Sequence, residues 1–223
     1  MNGFPSPNYS DRRGGVLPDM IVLHYTAMAS CAEARVRLCD PAAEVSAHWL
    51  VSETGEAEAL VPEAMRAWHA GAGAWGGIRD VNSHSIGIEL ANDGRSPFAE
   101  PQMAGLERLL AGIMQRWGIA PARVIGHSDM APERKGDPGQ RFDWRRLAVQ
   151  GLSVWPQAGG ADPADFAAAA RRFGYACADD ALLLAAFRLR FRPWATGPLD
   201  ALDAGMAVDL ARRFAVDADG AQA

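Results

Sequence analysis

Three short apolar runs, MIVLHY at 20–25, SIGIEL at 85–90 and ARVIG at 122–126, constrain this chain more than any other feature. Each has the length of a strand, and each delivers a chemically capable side chain at or just past its end: His24, Glu89 and His127. Helical signals lie between them. Ser30 is placed to N-cap a helix of about ten residues that Pro41 stops. Across 101–117, Met103, Leu106, Leu109, Leu110, Ile113, Met114 and Trp117 recur at the spacing of one helix face. AHWLVSETGEAEALV, at 47–61, reads as a hairpin, two apolar runs about a Glu-Thr-Gly-Glu turn. Strands alternating with helices predict an α/β fold, and the hairpin makes the central β-sheet mixed rather than purely parallel, with helices flanking it.

The texture changes after about residue 150. GLSVWPQAGGADP, at 151–163, is rich in Gly and Pro and reads as a linker. Three short helical patterns follow, near 164–173, 179–191 and 199–214, with no further histidine. The expected division is a site-bearing domain over 1–150, a linker over 151–163 and a small C-terminal three-helix module over 164–223.

Charge and hydropathy exclude several classes of partner. The chain carries 22 basic against 27 acidic residues and no Lys/Arg run, so it lacks the footprint of a nucleic-acid groove. No segment approaches the ~18 apolar residues of a membrane span. The opening MNGFPSPNYSDRRGG has neither the basic start nor the apolar stretch of a secretory signal. The expected location is therefore cytoplasmic, or periplasmic if an export segment has been trimmed away. Cys31 and Cys39, eight residues apart on one predicted helix, stand roughly 12 Å apart and are too distant for a disulfide. With no C-x-x-C, a cysteine zinc cluster is excluded, and the three cysteines read as small buried hydrophobes.

VIGHSDMAPERKGDPG, at 124–139, holds the one lysine of the chain, Lys135; every other one of the 22 basic residues is arginine. An ammonium is a compact point charge and a guanidinium a broad planar fork, so a site can require the first and reject the second. His127, Asp129, Glu133 and Asp137 crowd the same stretch. His24 and His127 both follow strand-like runs, and strand ends in an open α/β sheet are where ligand sites collect. Asp137 lies ten residues past His127, across a loop with Pro132, Gly136, Pro138 and Gly139 that can turn back toward the same point. Two imidazoles and a carboxylate leave the fourth position of tetrahedral zinc open, as in catalytic sites. Spacing leaves open the plainer reading of Asp137 as a turn-former before proline. Glu89, on a strand otherwise apolar or Gly, is the candidate base, or else a strand-end carboxylate that reaches solvent. Lys135, two residues before Asp137, can face the same pocket as an electrostatic stabiliser of an oxyanion.

Taken in order, IVLHYT, SAHWLV, AWHAG, SIGIEL, VIGHSDMAPERKGDPG and FDW resemble the zinc-dependent N-acetylmuramoyl-L-alanine amidases, relatives of peptidoglycan recognition proteins and of amidase-type phage lysozymes. The resemblance covers roughly residues 15–150. FGY, LAAFRLRFRP and GPLD further on resemble the small peptidoglycan-binding module of some members, although such helices serve equally as a structural cap. The resemblance implies a bound Zn2+ held by His24, His127 and Asp137, with Glu89 as proton acceptor and Lys135 at the oxyanion. Tyr25 and Thr26 would line the substrate groove. His48, His69 and Asn82 occupy pocket positions, or else hold loops by hydrogen bonds; His84 matches nothing assignable. Glu133 stands where the family usually has Gly, which bears on substrate preference.

The implied reaction is hydrolysis of the amide between N-acetylmuramic acid, or its 1,6-anhydro form, and L-alanine of the stem peptide, in peptidoglycan turnover or muropeptide recycling. The implied partners are peptidoglycan or muropeptide fragments, with no obligate protein partner. Two other readings use the same residues: a recognition protein that binds peptidoglycan without cutting it, and a zinc peptidase that cuts within the stem. Members that only bind typically lack a ligand, whereas all three positions are filled here. Lack of an export signal favours soluble fragments as substrate and an appended module favours polymer; the expectation leans to recycling.

Overall fold

A computed structural model describes residues 5–215. In chain order its strands are β1 (Tyr9–Ser10), β2 (Met20–Tyr25), β3 (Trp49–Val51), β4 (Ala57–Ala59), β5 (Arg66–Ala67), β6 (Ser85–Leu90) and β7 (Val124–Gly126). Its helices are α1 (Cys31–Cys39), α2 (Val81–His84), α3 (Glu100–Trp117), α4 (His127–Met130), α5 (Trp144–Val149), α6 (Phe166–Phe173), α7 (Asp180–Phe191) and α8 (Ala201–Phe214). Five strands form one sheet in the order β4-β3-β6-β2-β7, and β1 pairs with β5 separately. The hairpin pair β3–β4 is antiparallel, while β3–β6, β6–β2 and β2–β7 are parallel, so the sheet is mixed as its sequence pattern predicts.

Strand alternation decides which face carries the chemistry. Ile21 and Leu23 of β2 and Ile86, Ile88 and Leu90 of β6 point one way, into a core shared with Met103, Leu106, Leu110 and Ile113 of α3. Ser85, Gly87 and Glu89 of β6 pair in register with Met20, Val22 and His24 of β2 and share the opposite face. On that face of β6 Ser85 is small and Gly87 has no side chain, which leaves room for the His69 ring discussed below.

The helices stop and start where local chemistry requires. Ser30 Oγ accepts from the Glu33 amide at 3.2 Å, and Pro41 lies just past the C-terminus of α1. Gly118, at φ 68°, ends α3 in the left-handed conformation that glycine adopts without penalty. Leu109, Met114 and Trp117, read as part of the apolar stripe, lie on its margin and are only partly buried. Residues 122 and 123, predicted to begin a strand, instead belong to a 3-10 turn over Pro121–Arg123, and β7 starts at Val124. Pro121 fixes φ and has no amide to give a ladder, and Arg123 turns aside to pair with Asp19 at 2.8 Å. Asp143 caps α5, a helix the hydrophobic pattern does not announce.

The last three helices form a cluster against the site-bearing face of the sheet. Phe166, Phe173, Phe187 and Phe191 share one apolar core with Met20, Val22 and Ile125 of the sheet and with Trp75. Within the cluster, Arg188 and Arg192 both pair with Asp203, whose side chain is fully buried.

Candidate metal centre and its cleft

The parallel register places the candidate residues on adjoining rows. His24 is the Cα partner of Glu89, and Leu23 is the partner of Gly126, so His127 follows immediately beside His24 at the carboxyl edge of the sheet. The loop after α4 then turns back: the Ser128 amide donates to the Asp137 carbonyl at 2.9 Å. His24 Nδ1 lies 2.9 Å from His127 Nδ1 and 2.9 Å from Asp137 Oδ2, and His127 Nδ1 lies 3.1 Å from the same oxygen. All three residues are buried.

Hydrogen bonds behind the triad fix which nitrogens face inward. Ser85 Oγ gives its one proton to the Val81 carbonyl at 2.6 Å, so His69 Nε2–H must donate to Ser85 Oγ, 3.1 Å away. His69 Nδ1 is then an acceptor, and His24 Nε2–H donates to it at 3.0 Å. Burial, with His127 adding to it, pushes His24 down to about 4, so its ring is neutral at pH 7 and Nδ1 is a bare lone pair. Burial also holds His69 neutral, well below its ordinary range, with His24 contributing. His127 Nε2–H donates to the Ala70 carbonyl at 2.8 Å, which leaves Nδ1 as the nitrogen that faces the other two side chains. Three potential ligand atoms thus converge within about 3 Å of one another. A single proton can bridge only two of them. The arrangement fits a metal ion, held through His24 Nδ1, His127 Nδ1 and an Asp137 oxygen, whose ligand atoms all lie within 4.8 Å of one another.

The triad opens on a cleft of about 400 Å³ that Tyr25, Thr26, Arg37, Trp68, Glu89 and Lys135 also line. Glu89 Oε2 is buried and has no hydrogen-bond partner among the described residues. Burial, reinforced by the Asp137 charge, pushes the Glu89 carboxyl up to about 8, and Lys135 pulls the other way. Lys135 itself is exposed at the cleft rim.

His69 lies in the wall of the same cleft and presses its ring on Gly87, where any Cβ would collide with it. His48 and Asn82 sit behind the wall and do not line the cleft. His48 Nδ1 accepts from the Gly87 amide at 2.9 Å while its Nε2 donates to the Met65 carbonyl at 3.0 Å. Asn82 Oδ1 accepts from the His69 and Ala70 amides at 3.1 and 2.8 Å, which anchors the segment that supports both ligand histidines. His84 is away from the cleft, 3.4 Å from Asp19. Glu133 is exposed.

Four participants carried no signal strong enough to be picked from sequence. Ser85 looks like an ordinary strand opener. Arg134 looks like one more surface arginine, yet its guanidinium donates to the Ala70 and Ala72 carbonyls and clamps the loop that receives His127. Trp68 and Arg37 reach the cleft from β5's end and from α1. AWHAG was the one legible hint for Trp68.

A family model described as N-acetylmuramoyl-L-alanine amidase matches residues 14–140. The chain is 35% identical to the N-acetylmuramoyl-L-alanine amidase AmiD of Escherichia coli over 89% of its own length and 84% of that protein's. It is 32% identical to the 1,6-anhydro-N-acetylmuramyl-L-alanine amidase AmpD of the same organism, over 65% of this chain and 88% of that one. Among solved structures it is similar to E. coli AmiD in complex with anhydro-N-acetylmuramic acid-L-Ala-D-γ-Glu-L-Lys, with TM-score 0.81 and 31% identity over 94% of this chain and 99% of that one.

Proposed function

The chain belongs to the N-acetylmuramoyl-L-alanine amidase family, and from that premise we propose that it is a zinc amidase acting on soluble 1,6-anhydro-muropeptides through His24, His127, Asp137, Glu89 and Lys135. It is an enzyme, and the bond it hydrolyses joins N-acetylmuramic acid, or its anhydro form, to L-alanine. The observation that carries the residue roles is the convergence of three potential ligand atoms, in one cleft, with a carboxyl whose buried Oε2 has no hydrogen-bond partner among the described residues. Two imidazoles and one carboxylate suit zinc, and three protein ligands leave a position for substrate or water. The preference for anhydro-muropeptides is supported by the AmiD complex, whose ligand carries that sugar and which spans nearly all of this chain.

An ion held by His24, His127 and Asp137 would supply Lewis acidity, polarising the scissile carbonyl and lowering the pKa of water toward ~7. The chain supplies the proton traffic and the charge. Glu89, on the row beside His24, receives a proton from the attacking water and returns it to the departing alanine nitrogen. Lys135 places an ammonium at the rim where the lactyl carbonyl oxygen gains negative charge. His69, held by Ser85, keeps His24 turned so that Nδ1 stays directed inward. The cleft's aromatic walls, Tyr25 and Trp68, offer flat surfaces to the sugar and the stem.

Lys135→Ala is expected to fold and to bind zinc as the parent does while kcat falls about 10²–10³-fold. Lys135→Arg should recover little of that, since a planar fork does not replace a point charge. Turnover at the parent rate by Lys135→Ala would remove the residue from the mechanism.

Mass spectrometry of products from a purified anhydro-muropeptide, with and without chelator, tests the whole reading. Free stem peptide and free anhydro-sugar, lost with chelator and regained with zinc, are the expected result. Cleavage inside the peptide would make the enzyme a peptidase. An untouched muropeptide alongside cut sacculi would move the substrate from soluble fragments to polymer.

A further inference from the structure

The helix that carries His127 has four residues, too few to hold its own shape in water. Its brace is Asp129. One carboxylate oxygen of Asp129 accepts from the Gly126 amide at 2.8 Å, immediately before His127, and from Arg190 Nη1 at 2.7 Å. The other oxygen accepts from the Tyr175 hydroxyl at 2.7 Å. Arg190 lies on α7 and Tyr175 on the connection between α6 and α7, so both braces come from the C-terminal helices. The Arg190 guanidinium also donates to the Val124 carbonyl of β7 at 3.0 Å and stacks 4.3 Å over the Trp144 ring. Arg190 and Asp129 side chains are each 1% exposed.

A buried ion pair is a poor way to gain stability, because desolvation offsets most of the attraction. What this pair does is connect α7 to both members of the β7–α4 junction, to the β7 backbone at Val124 and Gly126 and to α4 through the Asp129 side chain. Asp137 is tied to the same short helix through the Ser128 amide, so the brace bears on two of the three candidate ligands. We propose that the C-terminal helices complete the metal centre: Arg190 and Tyr175 act through Asp129 as positioning residues that set how tightly the triad holds its ion. The inference rests on the reading of His24, His127 and Asp137 as metal ligands.

The test is zinc affinity of the full-length, metal-stripped protein by competition with a chromogenic chelator, with the visible spectrum of the Co2+ form as a reporter of ligand geometry. Arg190→Met is expected to weaken zinc binding about 10–100-fold and to alter the Co2+ spectrum, as loss of a partner behind a ligand does. Arg190→Lys should recover part of the loss. Tyr175→Phe, which keeps the ring in the core, should weaken binding in the same direction and carries the test if Arg190→Met does not fold. Arg188→Met breaks a buried ion pair that lies within the helical cluster, so it should lower the Tm and leave affinity and spectrum at parent values. Parent affinity and spectrum in both Tyr175→Phe and the folded Arg190 variants would overturn the inference alone, as would an equal loss of affinity in Arg188→Met. A parent protein that binds no zinc would overturn the reading of the triad itself.

Discussion

Glu89→Gln is expected to lose about 10²–10⁴ in turnover, the range a positioned general acid–base supplies, while zinc affinity stays within a few-fold of the parent. The same variant should be more stable than the parent in the metal-free state. In the folded metal-free protein the Glu89 carboxyl is pushed up to about 8, whereas the unfolded chain ionises it at its ordinary value of 4.5. Between those two pH values the unfolded state has released the proton and the folded state still holds it, so stability falls as pH rises through the window. Glutamine has no proton to release. Thermal unfolding of chelated protein should therefore show the variant and the parent alike below pH 4.5, the variant gaining progressively up to about 8, and a constant difference beyond. A variant–parent difference that stays flat across that window would refute the protonated carboxyl, since the other titrating groups contribute equally to both proteins. A nearby divalent cation favours the carboxylate, so zinc should shrink the difference. Loss of zinc from Glu89→Gln would instead make Glu89 a ligand.

Asp137→Ala is expected to lose zinc by more than the ~10–100-fold that removal of a hydrogen-bond partner behind a ligand costs, because it removes a donor atom itself. The fold should survive, since the structural bond at this position uses the Asp137 backbone carbonyl and not its side chain. Metal analysis after gel filtration, with turnover on the same samples, provides the check. Activity should follow zinc content, and chelation of the parent should reproduce the variant's inactivity reversibly. Retention of zinc at parent affinity would return Asp137 to the plainer role of a turn residue before Pro138.

Some of this was legible because it is local. His24 ends an apolar run, His127 follows one, and Asp137 sits where a Pro- and Gly-rich loop can bend back; each of these facts is contained in a stretch of about sixteen residues or fewer. The lone lysine could be read from composition. His48 and His69 could not be told apart that way. Both look like histidines near strands, yet His69 lies in the cleft wall and His48 is sealed behind it against Gly87, 39 residues away in sequence. Asn82 is similar: its amide oxygen holds the backbone of 69 and 70, and no spacing rule reveals such a bond.

The sequence by itself determined the mixed α/β plan, the residue types of the triad and the carboxyl and ammonium that accompany it, because periodicity, turn residues and donor chemistry are written in consecutive positions. Only the tertiary structure decided that Glu89 shares a row with His24, that Ser85 and Ala70 turn the Nδ1 atoms inward, and that Arg190 reaches Asp129 from the far end of the chain. Those outcomes depend on strand register and on which helix lies over which face. Register is set by the burial of whole surfaces at once, and a single stretch of chain carries no record of the neighbour it will meet.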